Sequence, residues 1–334
     1  MARLLLPGRR YAAYASVVAL SLPSIWAVLS GLRREVVPDI GAFVRTRGPA
    51  VGRGALLALP LAFVAGALLV PLGLMFVWSF WERAGFWIRP AFTLASYAEF
   101  FAGPRLSVLE RSLVVAAGVT VLGLVLAYPI AYFLALRVRR DLARNVLLLF
   151  TVPFLVNYII RTFSWVYLLS RTGPVNRALI AAGVTERPVD WLLFSDFAVF
   201  VGLIGSYMPF MIYPLWAALG GLDRRLVEAS WLLGARPRVT FLRVTLPLSM
   251  PGVFAAVIFG FVGAFGDSAV PIILGGVGYQ LMGNTITSAL DVLNYPLAAA
   301  MSSVVVATML AFLLVWYLAF DLRAVLGKIA QWRF

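Results

Sequence analysis

Cysteine and histidine are both absent from this chain. Disulfides, thiol nucleophiles, Cys/His zinc sites and the commonest general base are therefore excluded. Lysine occurs once, as Lys328, with Gly327 before it and Ile329 after it, so no G-x-x-x-x-G-K-[ST] phosphate loop exists. If ATP drives this protein, another chain must bind it. Charge is scarce as well: 13% of the 334 residues, against about 25% in an ordinary soluble domain. No two acids share an apolar run, so there is no constellation on which to build a membrane enzyme.

What remains is oil and arginine. Hydrophobic residues make up 62% of the chain, and the mean hydropathy is +0.94. The formal charge of +14 does not point to nucleic acid, because the arginines sit in short runs between apolar stretches rather than on one wet face. A helix needs about 20 apolar residues to cross the hydrocarbon core, and six stretches meet this: residues 55–80, 112–136, 146–169, 194–219, 253–274 and 298–320. The expected fold is an all-α polytopic membrane protein with six core spans. No low-complexity segment and no clear internal repeat interrupts it.

Cytoplasmic connections carry the excess of basic residues. With the N-terminus inside, eight precede residue 55, four lie in "RVRRDLARN" (137–145), five between Asp223 and Arg243, and three in the tail after residue 322. Twenty then lie inside against seven outside, with Arg161 within a span, so both termini are expected in the cytoplasm. Residues 1–54 form a basic extension, residues 55–322 the membrane domain and residues 323–334 a cytoplasmic tail. Residues 11–32 in the extension are apolar but contain Pro23 and are flanked by arginines. They fit an interfacial or bent helix, an extra span, or a start placed too early.

The cytoplasmic loop at about 220–250 has a pattern of its own. Leu222, Leu226, Ala229 and Leu233 recur at helical spacing, with Asp223, Arg224, Arg225 and Glu228 directed elsewhere. Gly234 stands where a helix ends in a left-handed residue, and Pro237 where a second helix begins. The spacing predicts a helix, a glycine turn and a second helix, with Pro247 and Pro251 marking the return to the bilayer. Such a hairpin packs on the protein's own helix ends or docks another subunit.

Its residues carry a resemblance. Glu228-Ala229-Ser230, Gly234 four positions after Ser230, and Leu246-Pro247 resemble the EAA loop of ABC-importer permeases, with Ser230 where the family pattern has Ala. "AYPIAYFLALRVRR" (127–140), "VPFLVNYIIRTFSWVYLLSRTGPVNRAL" (152–179), "GLIGSYMPFMIYPLWAALGGLDRRLVEAS" (202–230) and "GAFGDSAVPIILGGVGYQLMGNTI" (263–286) are similar to the first permease subunit of spermidine/putrescine-type importers. The likeness spans residues 55–322. It implies the type I importer permease fold, the bacterial inner membrane and a coupling role for Arg225, Leu226, Glu228, Ala229, Ser230 and Gly234. It also implies three kinds of partner: an ATPase dimer that binds ATP and magnesium, a second permease and an external solute-binding protein. A polyamine is the expected solute, and phosphonates, opines and ferric ions are the alternatives within the same family.

Charge inside a bilayer costs a few kcal/mol per residue. Arg161 lies in span three with Asn157 one turn earlier on the same face, and Asp267 lies in span five between Gly266 and a Pro271 expected to end regular helix. Asp196 falls at the outer end of span four. A cationic solute would use a carboxylate and aromatic faces, so Asp267, Asn157, Tyr158, Arg161, Trp165 and Tyr207 are the candidate path residues, with Phe163, Tyr167 and Phe210 as further aromatics. For Asp267, solute contact, pairing with Arg161 and gating all fit. Gly260, Gly263 and Gly266 form a small-residue stripe suited to tight packing or a bend. An ion-coupled carrier is the competing class, although such carriers favour several titratable groups in the membrane.

Overall fold

The computed structural model describes residues 51–85 and 87–319, so the expected interfacial helix or extra span at residues 11–32 and the tail lie outside the described residues. The chain divides into two compact units, residues 1–73 and 74–334. Helix α1 (Val51–Trp78) supplies all described residues of the first.

Among its described residues the second unit is helical apart from loops and one small hairpin, β1 (Glu82–Ala84) and β2 (Trp87–Arg89), which pairs Glu82 with Arg89. Three of the long helices that follow α2 (Ala95–Ala102) form the centre: α3 (Arg105–Leu136), α7 (Asp196–Gly220) and α10 (Leu246–Gly266). They pack against one another along their lengths. Their shared faces bury two apolar clusters, one around Val119, Leu203, Phe261 and Phe265, the other around Ala131, Met211, Leu215 and Val257. Small residues set the spacing. A Cβ on Gly252 would lie 2.6 Å from that of Ala218 and 2.7 Å from the Pro214 carbonyl oxygen, while Gly260 and Gly263 face Met211 and Tyr207 of α7. Two glycines of the stripe thus serve close packing of α10 on α7, while Gly266 faces Met309 instead.

Outward-facing Val114, Val121, Val125, Leu314 and Val315 stay bare, as suits helices whose solvent is lipid. Among the described residues, five helical stretches are long and apolar enough to cross a bilayer. A sixth crossing arises if one bent pair counts as a single span. The remaining α-helices are α4 (Arg140–Leu155), α5 (Tyr158–Leu169), α6 (Pro174–Ala181), α8 (Arg224–Leu232), α9 (Pro237–Thr240), α11 (Ala269–Leu274), α12 (Met282–Asp291) and α13 (Tyr295–Ala319).

Two of the expected straight spans are broken. Span three is α4 and α5, and the chain bends by 96° between them. Pro153 lies in the last turn of α4, where it removes an N–H, and Val156 and Asn157 are extended. Asn157 still stands one turn before Arg161, whose N–H donates to the Asn157 carbonyl at 3.0 Å, but as the first, capping position of a new helix rather than inside a straight span. It is the N-cap of α5, its Oδ1 accepting the Ile159 N–H at 2.9 Å. Span five ends at Gly266, and Asp267 is extended. Pro271 does not end it but lies inside the short α11. At its other end this span begins early: α9 runs through a π-helical turn (Phe241–Thr245) into α10, so Pro247 and Pro251 stand within a continuous helix.

Candidate functional site

The cytoplasmic-type loop folds into the expected hairpin. Asp223 caps α8 by accepting the Arg225 N–H at 2.9 Å. At the other end Gly234 takes φ +78°. Its N–H donates to the Trp231 carbonyl at 2.9 Å, and that of Ala235 donates to the Ser230 carbonyl at 3.0 Å. This pair of bonds is the Schellman motif, which meets two carbonyls that the helix end would leave open. Ser230 Oγ lies 2.8 Å from Thr240 Oγ1 and ties α8 to α9. Leu226 is half-buried, whereas Arg225, Glu228 and Ala229 are exposed. The apolar surface left bare is at the tip: Trp231, Leu232 and Leu233, the last two 89% and 88% exposed.

A second constellation forms where the two broken spans meet. Asp267 is 5% exposed. Its Oδ1 accepts the Val270 N–H at 3.0 Å, which caps α11. Its Oδ2 accepts the hydroxyl of Tyr158, the first residue of α5, and that of Tyr207 from α7 at 2.8 Å. One carboxylate thus joins three membrane elements. The fit is tight, because a Cβ on Gly263 would strike the Tyr207 ring and one on Gly283 would strike the Asp267 carbonyl.

Arg161 is not paired with Asp267. Its Nη1 donates to the Pro153 carbonyl at 3.2 Å, and its Cζ stands 4.6 Å from the Phe154 ring centre and 5.1 Å from that of Tyr158. A cation at the C-terminal end of α4 meets the negative end of that helix, which accounts for an arginine within the membrane. A cavity of about 510 Å³ opens beside these groups, lined by Phe154, Asn157, Tyr158, Arg161, Ser206, Tyr207 and Phe210 among others. Of the candidate path residues, Asn157, Tyr158, Arg161 and Tyr207 line it, as does Phe210. Asp267 stands behind its wall. Trp165 packs instead on Gly205, and Phe163 and Tyr167 face outward. Phe154 and Ser206 escaped the sequence reading. The combination of Pro153 and Asn157 is the signal that would have exposed the break and its lining.

Asp196 belongs to a separate cluster. It accepts from Arg111 Nη2 at 2.9 Å and from the Tyr279 hydroxyl at 2.7 Å, and Arg111 lies over the Tyr279 ring at 4.3 Å. Burial first, then the bond to the Asp196 carboxylate, raise the Tyr279 hydroxyl above its ordinary pKa and keep it protonated. This cluster fastens the segment between α11 and α12 to α3 and α7. Among the described residues no group of acids could hold a metal ion.

Residues 119–324 match the family model described as "Binding-protein-dependent transport system inner membrane component". The chain is 35% identical over 233 residues to the spermidine/putrescine transport system permease protein PotB of Escherichia coli (strain K12), covering 70% of this chain and 84% of that one. It is 33% identical over 255 residues to the protein of the same name from Haemophilus influenzae, covering 75% and 88%. Among solved structures, a bacterial ABC transporter involved in the import of the acidic polysaccharide alginate matches with a TM-score of 0.63 at 16% identity, over 80% of this chain and 95% of that one. That likeness concerns the fold.

Proposed function

This chain belongs to the family of binding-protein-dependent transport system inner membrane components, and we propose that it forms half of the pathway by which an ATP-driven importer carries a polyamine into the cell. Kinship with the two polyamine permeases over most of both chains carries this reading. The cavity agrees with it: aromatic faces at Phe154, Tyr158, Tyr207 and Phe210 and the oxygens of Ser206 and the phenols suit an ammonium group. As a permease subunit the chain is not an enzyme. ATP and magnesium are bound by a partner ATPase dimer, a second permease completes the pathway, and a soluble binding protein delivers the solute from outside.

The α8–α9 hairpin is the seat of the ATPase, on the cytoplasmic face along with both termini. Arg225, Glu228 and Ala229 on its open side and the bare Trp231, Leu232 and Leu233 at its tip are the contact surface. Gly234 sets the turn, while Leu226 and Ser230 hold α8 in place. ATP binding closes the ATPase dimer, draws the hairpins of the two permeases together and turns the pathway outward; hydrolysis resets it. Capture of the ATPase by permease lacking residues 223–234 is the test. Loss of capture and of ATP-dependent spermidine uptake is expected, and ATP-driven uptake that survives the deletion overturns the assignment.

One observation favours a different small solute, an anion such as a phosphonate: Arg161 lines the same cavity. Its guanidinium gives one N–H to the Pro153 carbonyl and stands near two rings, while its buried Nε–H has no partner among the described residues; kinship with the polyamine permeases is what puts the cationic solute ahead. Thermal shift of the cognate binding protein with spermidine and with a phosphonate separates the two.

A further inference from the structure

The acceptors of Asp267 are taken from three sides, by the Val270 N–H and by the hydroxyls of Tyr158 and Tyr207. A phenol has one proton to donate. With both protons committed to a buried carboxylate, the two phenolic oxygens can offer the cavity only lone pairs. The carboxylate charge behind them strengthens that polarity, because a charge-assisted bond pulls each O–H dipole inward and leaves oxygen outward. Both rings line the cavity, and Asp267 does not.

We infer that Asp267 is a positioning residue that sets solute selectivity: without touching the solute, it turns two phenols into obligate acceptors and so favours molecules rich in N–H donors, ammonium groups first. This rests on the proposed polyamine import. The charged group on the cavity itself, Arg161, is held toward the Pro153 carbonyl and the faces of Phe154 and Tyr158. It leaves the inward bonds of both phenols in place.

Asp267→Asn keeps the size of the side chain but brings an amide that donates. A phenol that accepts from it must turn its own proton elsewhere, and the cavity wall gains a donor. The complete importer, with ATPase, second permease and binding protein, is reconstituted in vesicles. Uptake of spermidine is compared with that of monoacetylspermidine, which carries one ammonium fewer, at equal amounts of assembled complex. The binding protein presents the solute, so selection in the cavity is read in the ratio of maximal rates.

The ratio of spermidine to monoacetylspermidine is expected to fall roughly tenfold in Asp267→Asn, as befits the loss of charge-assisted acceptors. The double variant Tyr158→Phe/Tyr207→Phe, which removes the oxygens and keeps the rings, should lower it in the same sense. Parallel losses for both solutes in the variants that assemble would assign Asp267 a structural role and overturn the inference. If Asp267→Asn does not assemble, the double phenylalanine variant decides: a fallen ratio supports the inference and an unchanged one overturns it. A wild-type importer that carries neither amine overturns the polyamine assignment, and with it this inference, by a different result.

Discussion

At Gly234 the chain reverses in an exposed turn through a left-handed glycine, whereas at Asp267 it turns inside a membrane span through a carboxylate that caps the next helix. Both positions end a helix and begin another. In water the end of α8 needs only its two Schellman bonds, since solvent serves the remaining carbonyls. Within a bilayer no solvent serves them, and the protein must supply each partner. The membrane breaks accordingly draw in Asn157, Tyr158, Arg161 and Tyr207. Four polar side chains then surround one cavity for a reason that begins with backbone satisfaction and ends in a solute-sized space. The hairpin, relieved of that demand, leaves its tip apolar and bare.

Substitutions should separate the two regions. The largest effect on the fold is expected from Asp267→Ala, which leaves two phenols and the Val270 N–H without their acceptor. At about 1 to 3 kcal/mol for each unsatisfied group, the thermal midpoint of detergent-solubilised permease should drop well below that of wild type. Removal of residues 223–234 should leave that midpoint nearly in place. Equal losses in the two would break the contrast.

Gly263→Ala comes next. The new methyl displaces the Tyr207 ring, an overpacking cost of about 1 to 3 kcal/mol. Slower uptake with intact ATPase capture is the expected pattern, and loss of capture would contradict it. For Gly234→Ala the site has room, since nothing lies within 4 Å of an added Cβ, and only the left-handed φ is strained, by roughly 1 to 2 kcal/mol. ATPase capture, measured by co-purification, should weaken while the thermal midpoint holds. Ser230→Ala should act least. It removes one hydroxyl tie, worth roughly 1 kcal/mol, and titration of ATPase against the permease should show a shift of a few-fold at most.

The two regions also differed in how far they could be read in advance. Leu226, Gly234 and Pro237 announced the hairpin because an apolar residue at helical spacing, a left-handed glycine and a proline at a helix start are local devices, complete within a dozen residues. The long spans 105–136, 196–220 and 295–319 were legible for a similar reason, as hydropathy sums along the chain. Span three was not, because an apolar run looks alike whether straight or bent, and Pro153 alone is compatible with either. Asp267 was legible as a costly buried charge. Its partners were not, since Tyr158 lies 109 residues away and Tyr207 lies 60 away.

The sequence by itself determined that the chain lives in a membrane, which stretches are apolar enough to cross it and which loop is the hairpin. Each follows from a sum or a short-range pattern that no folding can alter. Only the tertiary structure decided that two spans break at the same place, that Arg161 serves a helix end rather than Asp267, and that two tyrosines stand between Asp267 and the cavity. Those outcomes depend on which polar groups come within hydrogen-bond reach once α3, α7 and α10 have packed, and that distance is written nowhere along the chain.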